Sequence, residues 1–96
     1  VAENVRTPAG EIDLVLEKDN VLVFAEVKTR TGHAFGYPES AVNPRKLQHM
    51  IDAASHYLAD LDESPNWRLD VISIVLSSSK DEKPEIYWIE NVSADR

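Results

Sequence analysis

Short apolar runs alternate with polar breaks along most of the chain, and this pattern predicts a sheet. Residues 11–17 and 21–28 are rich in β-branched side chains, which is typical of strands. The polar residues 18–20 between them predict a tight hairpin turn. Further strands are predicted at residues 1–6, 67–76 and 85–91, with a polar loop at 77–84.

After the second strand of the hairpin, the spacing of the apolar residues changes and predicts one helix. Asn43 suits the N-cap and Pro44 the first helical position, so we expect the helix to begin there and to run to about Leu61. Its apolar residues recur at intervals of three and four: Leu47, Met50, Ile51, Ala54, Tyr57, Leu58 and Leu61. Residues 29–42 contain two of the three glycines and are predicted to form a long loop.

The order of these elements predicts the fold class. Two strands, a crossover helix and further strands give an α/β or α+β layer with a mixed sheet and the helix on one face. In the strand at 21–28, Val23 and Val27 point one way and Leu22 and Phe24 the other. Because both faces are apolar there, we predict that this strand is central in the sheet.

Composition limits the class of protein further. A chain of 96 residues with 43% apolar and 28% charged residues is expected to form a single globular domain, 1–96. The chain has no cysteine, so any metal must bind to oxygen or imidazole, and a cytoplasmic location is the expectation. No apolar run approaches the length of a membrane span, so no membrane partner is expected. The first residue is Val1 rather than methionine, and we expect an N-terminal truncation.

Charge is distributed unevenly. The net charge of −7 disfavours a nucleic-acid partner, but residues 28–49 hold four basic residues and one acidic residue. That local excess could face a phosphate backbone, or it could be an ordinary solvated loop and helix start.

Three ionisable residues, Asp13, Glu26 and Lys28, interrupt the apolar strands of the hairpin. Charges in such positions need partners, exposure or a metal. If Glu17 pairs with Leu22, Asp13 falls directly opposite Glu26, whereas pairing Glu17 with Val21 would put the two carboxylates on opposite faces unless a bulge restored them. Glu26 and Lys28 share a face in either register.

Opposed carboxylates have a reason to bind a cation. Their Cβ atoms would lie about 5 Å apart, within reach of one ion. Oxygen ligands suit Mg²⁺ or Mn²⁺, with the Val27 carbonyl as a further ligand and substrate phosphate completing the shell. Lys28 could then orient or deprotonate water, or bind the phosphate. The alternative is a structural salt bridge between Glu26 and Lys28 at a strand end.

These residues resemble a known signature. Asp13, twelve residues and then Glu26-Val27-Lys28 are similar to the PD-(D/E)xK motif of nucleases with the restriction-endonuclease-like fold. The chain more closely resembles the YraN-like family of predicted endonucleases, which is similar to Holliday-junction resolvases. The matching segments are Gly10-Glu11-Ile12-Asp13-Leu14, Val23-Phe24-Ala25-Glu26-Val27-Lys28-Thr29-Arg30, Gly36-Tyr37-Pro38-Glu39-Ser40-Ala41-Val42, Lys46 and Arg68-Leu69-Asp70-Val71.

The resemblance implies a restriction-endonuclease-like mixed central sheet with one crossover helix, without the N-terminal helix that family members usually have. It also implies that Asp13 and Glu26 bind the metal and that Lys28 serves the hydrolytic water. Glu11 is an additional candidate acid, and its alternative is a structural pairing with Arg6 or Arg30. Resolvase-like relatives act as dimers, which suggests a homodimer with the strand of Tyr87 and Trp88 as its surface.

Two functions therefore remain open. The first is a metal-dependent DNA endonuclease that cleaves branched or single-stranded DNA with metal-activated water. The second is a catalytically silent domain of the same fold that binds nucleic acid or protein. The candidate nucleic-acid contacts are Thr29, Arg30, Arg45, Lys46 and Gln48, each of which could instead be an ordinary solvated residue.

Some polar and aromatic residues have other roles. Asp70 interrupts an apolar strand, and we predict a structural partner for it, either Arg68 or a backbone donor. His49 and His56 are predicted surface residues of the helix. Phe35 and Tyr37 could stack on unpaired bases or anchor their loop.

Overall fold

The fold is known from a computed structural model, which describes residues 1–32, 43–77, 79 and 82–92. In that part of the chain the elements are β1 (Ala2–Thr7), β2 (Gly10–Lys18), β3 (Val21–Thr31), α1 (Pro44–Ala59), β4 (Asn66–Leu76) and β5 (Glu85–Ile89). The strands form one sheet in the order β1-β2-β3-β4-β5. β3 and β4 are parallel and the other neighbouring pairs are antiparallel. The predicted mixed sheet with one helix between parallel strands is therefore confirmed, and β3 is its central strand.

The hairpin of β2 and β3 has one of the two registers that the sequence left open. Glu17 pairs with Leu22 and Lys18 with Val21, so only Asp19 and Asn20 form the turn. Both have positive φ, 52° and 66°, as a two-residue turn between right-twisted strands requires. The polar residues predicted as a turn therefore also fix the strand register.

The structure corrects three predicted boundaries. β3 continues through Thr29 and Arg30 to Thr31, where a loop was predicted, because its parallel pairing with β4 extends that far. The helix ends at Ala59, where the backbone N–H groups of Asp60 and Leu61 donate to the Tyr57 and Leu58 carbonyls, respectively. β5 ends at Ile89, two residues before the predicted end. The predicted loop residues 33–42, with Phe35 and Tyr37, lie outside the described part of the chain.

The core lies between α1 and one face of the sheet. Phe24 is 2% exposed and makes edge-to-face contacts with Tyr57 of the helix and Trp67 of β4, at centroid distances of 5.5 and 6.2 Å. The buried core residues are Ile12, Val15, Phe24, Leu47, Ala53, Ala54, Leu69, Val71 and Val92. Leu61, predicted as part of the helical stripe, follows the helix and is exposed. The helix packs mainly over β2 and contacts β3 through Phe24, and its first turn lies beside the ionisable residues.

In the described part of the chain, no helix is both long enough and apolar enough to cross a bilayer.

Candidate functional site

The end of the β2–β3 pairing brings Asp13 and Glu26 together. The paired register runs from Lys18 and Val21 to Leu14 and Ala25, and Asp13 and Glu26, the next residue on each strand, line the same cleft. Asp13 Oδ2 accepts a hydrogen bond of 2.8 Å from the backbone N–H of Val27. The carboxylate thus takes the place of a strand carbonyl as the acceptor for that amide, and it is held against β3.

Glu26 is enclosed by two lysines. Its Oε1 lies 2.5 Å from Lys46 Nζ and 3.5 Å from Lys28 Nζ. Its Oε2 is buried and accepts no hydrogen bond from the described residues. In the Glu26 carboxylate, Oε1 therefore contacts both lysines, while Oε2 is available for a further ligand.

The two lysines affect each other's protonation. The neighbouring Lys46 amine, and then burial, lower the pKa of Lys28 below its usual range, although Glu26 opposes the shift. Burial also opposes a charge on Lys46, but hydrogen bonds to Glu26 and Lys28 outweigh it and raise the pKa of Lys46. Lys46 is therefore the charged partner of Glu26, and Lys28 is the amine that loses its proton more easily.

A cleft of about 210 Å³ between the sheet and α1 contains both carboxylates. Glu11 also lines it, which keeps the prediction of an additional acid open. The residues that line the cleft are Ala9, Gly10, Glu11, Ile12, Asp13, Phe24, Ala25, Glu26, Lys46, His49, Met50, Ala53 and Leu69. His49 is exposed, as predicted, but it faces this cleft rather than a featureless surface.

The donor set suits a hard divalent cation with an incomplete protein shell. Over residues 1–32, 43–77, 79 and 82–92, no group of three or more His, Asp or Glu could hold a metal ion. Asp13 and Glu26 are thus a pair, and the buried Oε2 of Glu26 is the atom that most needs a ligand. Mg²⁺ often binds through one or two carboxylates together with water and phosphate, so two acids do not conflict with it. The Val27 carbonyl stays a predicted ligand.

The predicted nucleic-acid contacts occupy different places. Thr29 is an exposed residue of β3, and Arg30 is half-buried there. Arg45 is exposed in the first turn of α1. Gln48 Nε2 donates to Asp52 Oδ1 at 3.0 Å and does not line the cleft. Lys46, by contrast, reaches Glu26, a role that the sequence analysis missed because the distance between helix and strand is set by tertiary packing.

Asp70 lies on the other face of the sheet and is structural, as predicted. It is fully buried, and Arg68 donates to its two oxygens at 3.1 and 3.2 Å. The backbone N–H of Asn91 and the indole N–H of Trp88 donate to it at 2.9 and 2.7 Å. Four hydrogen bonds satisfy this charge and tie the end of β5 to β4.

The comparisons with known proteins identify a family. The family model of UPF0102, described as an uncharacterised protein family, matches residues 1–74. A UPF0102 protein of Syntrophomonas wolfei is 46% identical over 78 residues, which cover 80% of this chain and 68% of that protein. A UPF0102 protein of Cupriavidus necator is 44% identical over 75 residues, which cover 77% of this chain and 57% of the relative. A UPF0102 protein of Symbiobacterium thermophilum is 47% identical over 75 residues, which cover 77% of this chain and 64% of that protein. The chain thus spans roughly three fifths to two thirds of the length of these curated relatives.

Proposed function

The chain belongs to the UPF0102 family, and we propose that it is a metal-dependent DNA endonuclease domain of the restriction-endonuclease-like, YraN-like type. One observation carries the proposal: Asp13 and Glu26 meet at the end of the β2–β3 pairing, inside one cleft, with a buried Glu26 oxygen that lacks a hydrogen bond from the described residues. Two acids with an available oxygen beside an amine form an arrangement suited to phosphodiester hydrolysis.

In this proposal Asp13 and Glu26 hold Mg²⁺ or Mn²⁺, and the Val27 carbonyl assists. A divalent cation bound there would lower the pKa of water and offset the charge of the phosphate. Asp13 can keep its hydrogen bond to the Val27 amide through Oδ2 while it offers Oδ1. Lys28, whose pKa is lowered, can accept a proton from the attacking water or orient it.

The substrate side of the proposal rests on charge. Arg45 lies at the start of α1, where backbone amides also favour anions, and Thr29, Arg30 and Gln48 are further proposed contacts. These groups would contact the phosphates of branched or single-stranded DNA. We also propose a cytoplasmic location and self-association through the exposed Tyr87 and Trp88 of β5.

A second candidate function is a catalytically silent domain that binds nucleic acid or protein. The observation that favours it is the pairing of Glu26 with both lysines, which neutralises the carboxylate without any metal. Under this alternative Lys28 and Lys46 stabilise the fold rather than serve a reaction.

Cleavage assays distinguish the two candidates. Four-way-junction, duplex and single-stranded DNA are incubated with millimolar Mg²⁺ or Mn²⁺ and with wild type, Glu26→Gln, Lys28→Met or Glu17→Gln. Glu17 is an exposed acid at the far end of β2 and serves as the matched control. We expect metal-dependent cleavage by wild type and Glu17→Gln, and a loss of about 10²-fold or more in the other two.

Equal cleavage by all four proteins would place any activity outside this site. Salt-dependent DNA binding by wild type, with neither cleavage nor metal binding by calorimetry, would support the silent domain instead.

A further inference from the structure

The contact between Lys46 and Glu26 places a positive charge on the carboxylate whose other oxygen, Oε2, would bind the proposed metal. Lys46 Nζ lies 2.5 Å from Glu26 Oε1, closer than Lys28 Nζ at 3.5 Å. The side chains of Lys46 and Glu26 are only 24% and 21% exposed. Because a partly buried carboxylate is costly without a positive partner, this ammonium group serves as its counter-charge in the metal-free protein.

The position of Lys46 in the helix is fixed, while its side chain is long and flexible. Its backbone N–H donates to the N-cap Asn43 Oδ1 at 2.9 Å, and Lys46 lies two residues after Pro44, the first residue of the helix. The first turn contains no acidic residue, and the helix dipole disfavours a cation there. The nearby acids Glu26 and Asp13, rather than the helix, therefore hold the ammonium group in the cleft.

We propose that Lys46 is a tethered counter-ion that competes with the divalent cation for Glu26. This inference rests on the proposed function, because it requires that Glu26 bind a metal. The competition weakens metal binding and keeps the acid neutralised until a cation of higher charge displaces the ammonium group. The displaced side chain then stays at the helix N-terminus beside the cleft, where a substrate anion would lie.

Arg45 provides a matched control for the test. It precedes Lys46 in the same helical turn and carries the same charge, but it is exposed and does not line the cleft. Removing either charge lowers the net charge of the protein by the same amount, but only the Lys46 variants remove the cation that contacts Glu26.

The experiment measures Mn²⁺ binding by calorimetry for wild type, Lys46→Met, Lys46→Gln and Arg45→Met. We expect Kd to fall roughly three- to tenfold in both Lys46 variants, the equivalent of a modest ion pair, and less than twofold in Arg45→Met. Melting in a chelator gives a second measurement that does not depend on activity. There the Lys46 variants should melt below Arg45→Met, and saturating Mn²⁺ should narrow that gap.

The outcomes separate the inference from the function on which it rests. If wild type binds Mn²⁺ but the Lys46 variants bind no more tightly than Arg45→Met, the competition is refuted and the metal site stands. If all four proteins fail to bind Mn²⁺, the metal-dependent function fails and the inference fails with it.

Discussion

The backbone amide of Val27 donates its hydrogen bond to the side chain of Asp13, at 2.8 Å, rather than to a strand carbonyl. The paired register of β2 and β3 ends immediately before this contact, at Leu14 and Ala25. Asp13 therefore continues the strand pairing with one oxygen and can serve the proposed metal with the other. Asp13 thus combines a structural hydrogen bond with a proposed role as a metal ligand, and variants can separate the two roles.

Replacing Asp13 by asparagine or by alanine should affect stability differently. Asparagine keeps a side-chain oxygen for the Val27 amide, whereas alanine leaves this partly buried N–H without its acceptor. We expect Asp13→Ala to be less stable than Asp13→Asn by about 1–2 kcal/mol in urea unfolding, and both to lose metal binding. Equal stability of the two variants would show that the amide bond contributes nothing to the fold.

Metal binding should raise the melting temperature through Glu26. At a Mn²⁺ concentration ten times its Kd, linkage predicts about 1.4 kcal/mol of stabilisation, or a rise of roughly 5–10 °C for a domain of this size. Differential scanning fluorimetry should show this rise in wild type and in Glu17→Gln, but not in Glu26→Gln. A full rise in Glu26→Gln would mean that the ion binds elsewhere on the acidic surface.

Asp70 should be among the most sensitive positions of the fold. Asp70→Asn removes the charge that pairs with Arg68. It also replaces one carboxylate oxygen by an amide NH₂ group, which cannot accept the hydrogen bonds that the Trp88 and Asn91 N–H groups donate. We expect a loss of about 2–4 kcal/mol in urea unfolding. Asp52→Asn, an exposed change of the same chemistry, should cost less than about 0.5 kcal/mol. A small loss at Asp70 would contradict its assignment as a structural charge.

Ser73, unlike Asp70, is expected to tolerate the loss of its polar group. Its side chain is 1% exposed, its Oγ has no hydrogen-bond partner among the residues that the structure describes, and it pairs in register with Lys28. Removing an unsatisfied buried hydroxyl should be neutral or slightly stabilising, so Ser73→Ala should change the free energy of unfolding by less than about 0.5 kcal/mol or increase it. A loss above about 1 kcal/mol would reveal a partner outside the described residues.

The local parts of the fold were predictable from the sequence. The hairpin, the helix start at Asn43 and the central position of β3 follow from turn residues, capping chemistry and two apolar faces. The register was not decided, since two alignments of the same residues were compatible with the spacing. The structure resolves it through the positive φ angles of Asp19 and Asn20, which close a two-residue turn.

Features that depend on distant segments were not predictable. Thr29 to Thr31 extend β3 because β4 pairs with them, whereas the glycines that follow had placed them in a predicted loop. Lys46 could be identified as a cation but not as the partner of Glu26, because that requires the distance between α1 and the sheet. The indole of Trp88 as a donor to Asp70 was missed for the same reason.

The parallel pairing of β3 and β4 also has a consequence for the order of folding. Each residue of β3 pairs with one 45 positions later, from Val21 with Asn66 to Thr31 with Leu76, whereas the β2–β3 hairpin joins near neighbours. Closing the longer loop costs more chain entropy, so the hairpin should form early and the crossover late. During folding the two acids would then meet in open solvent, and the lysine on the helix would reach them only when the crossover closes.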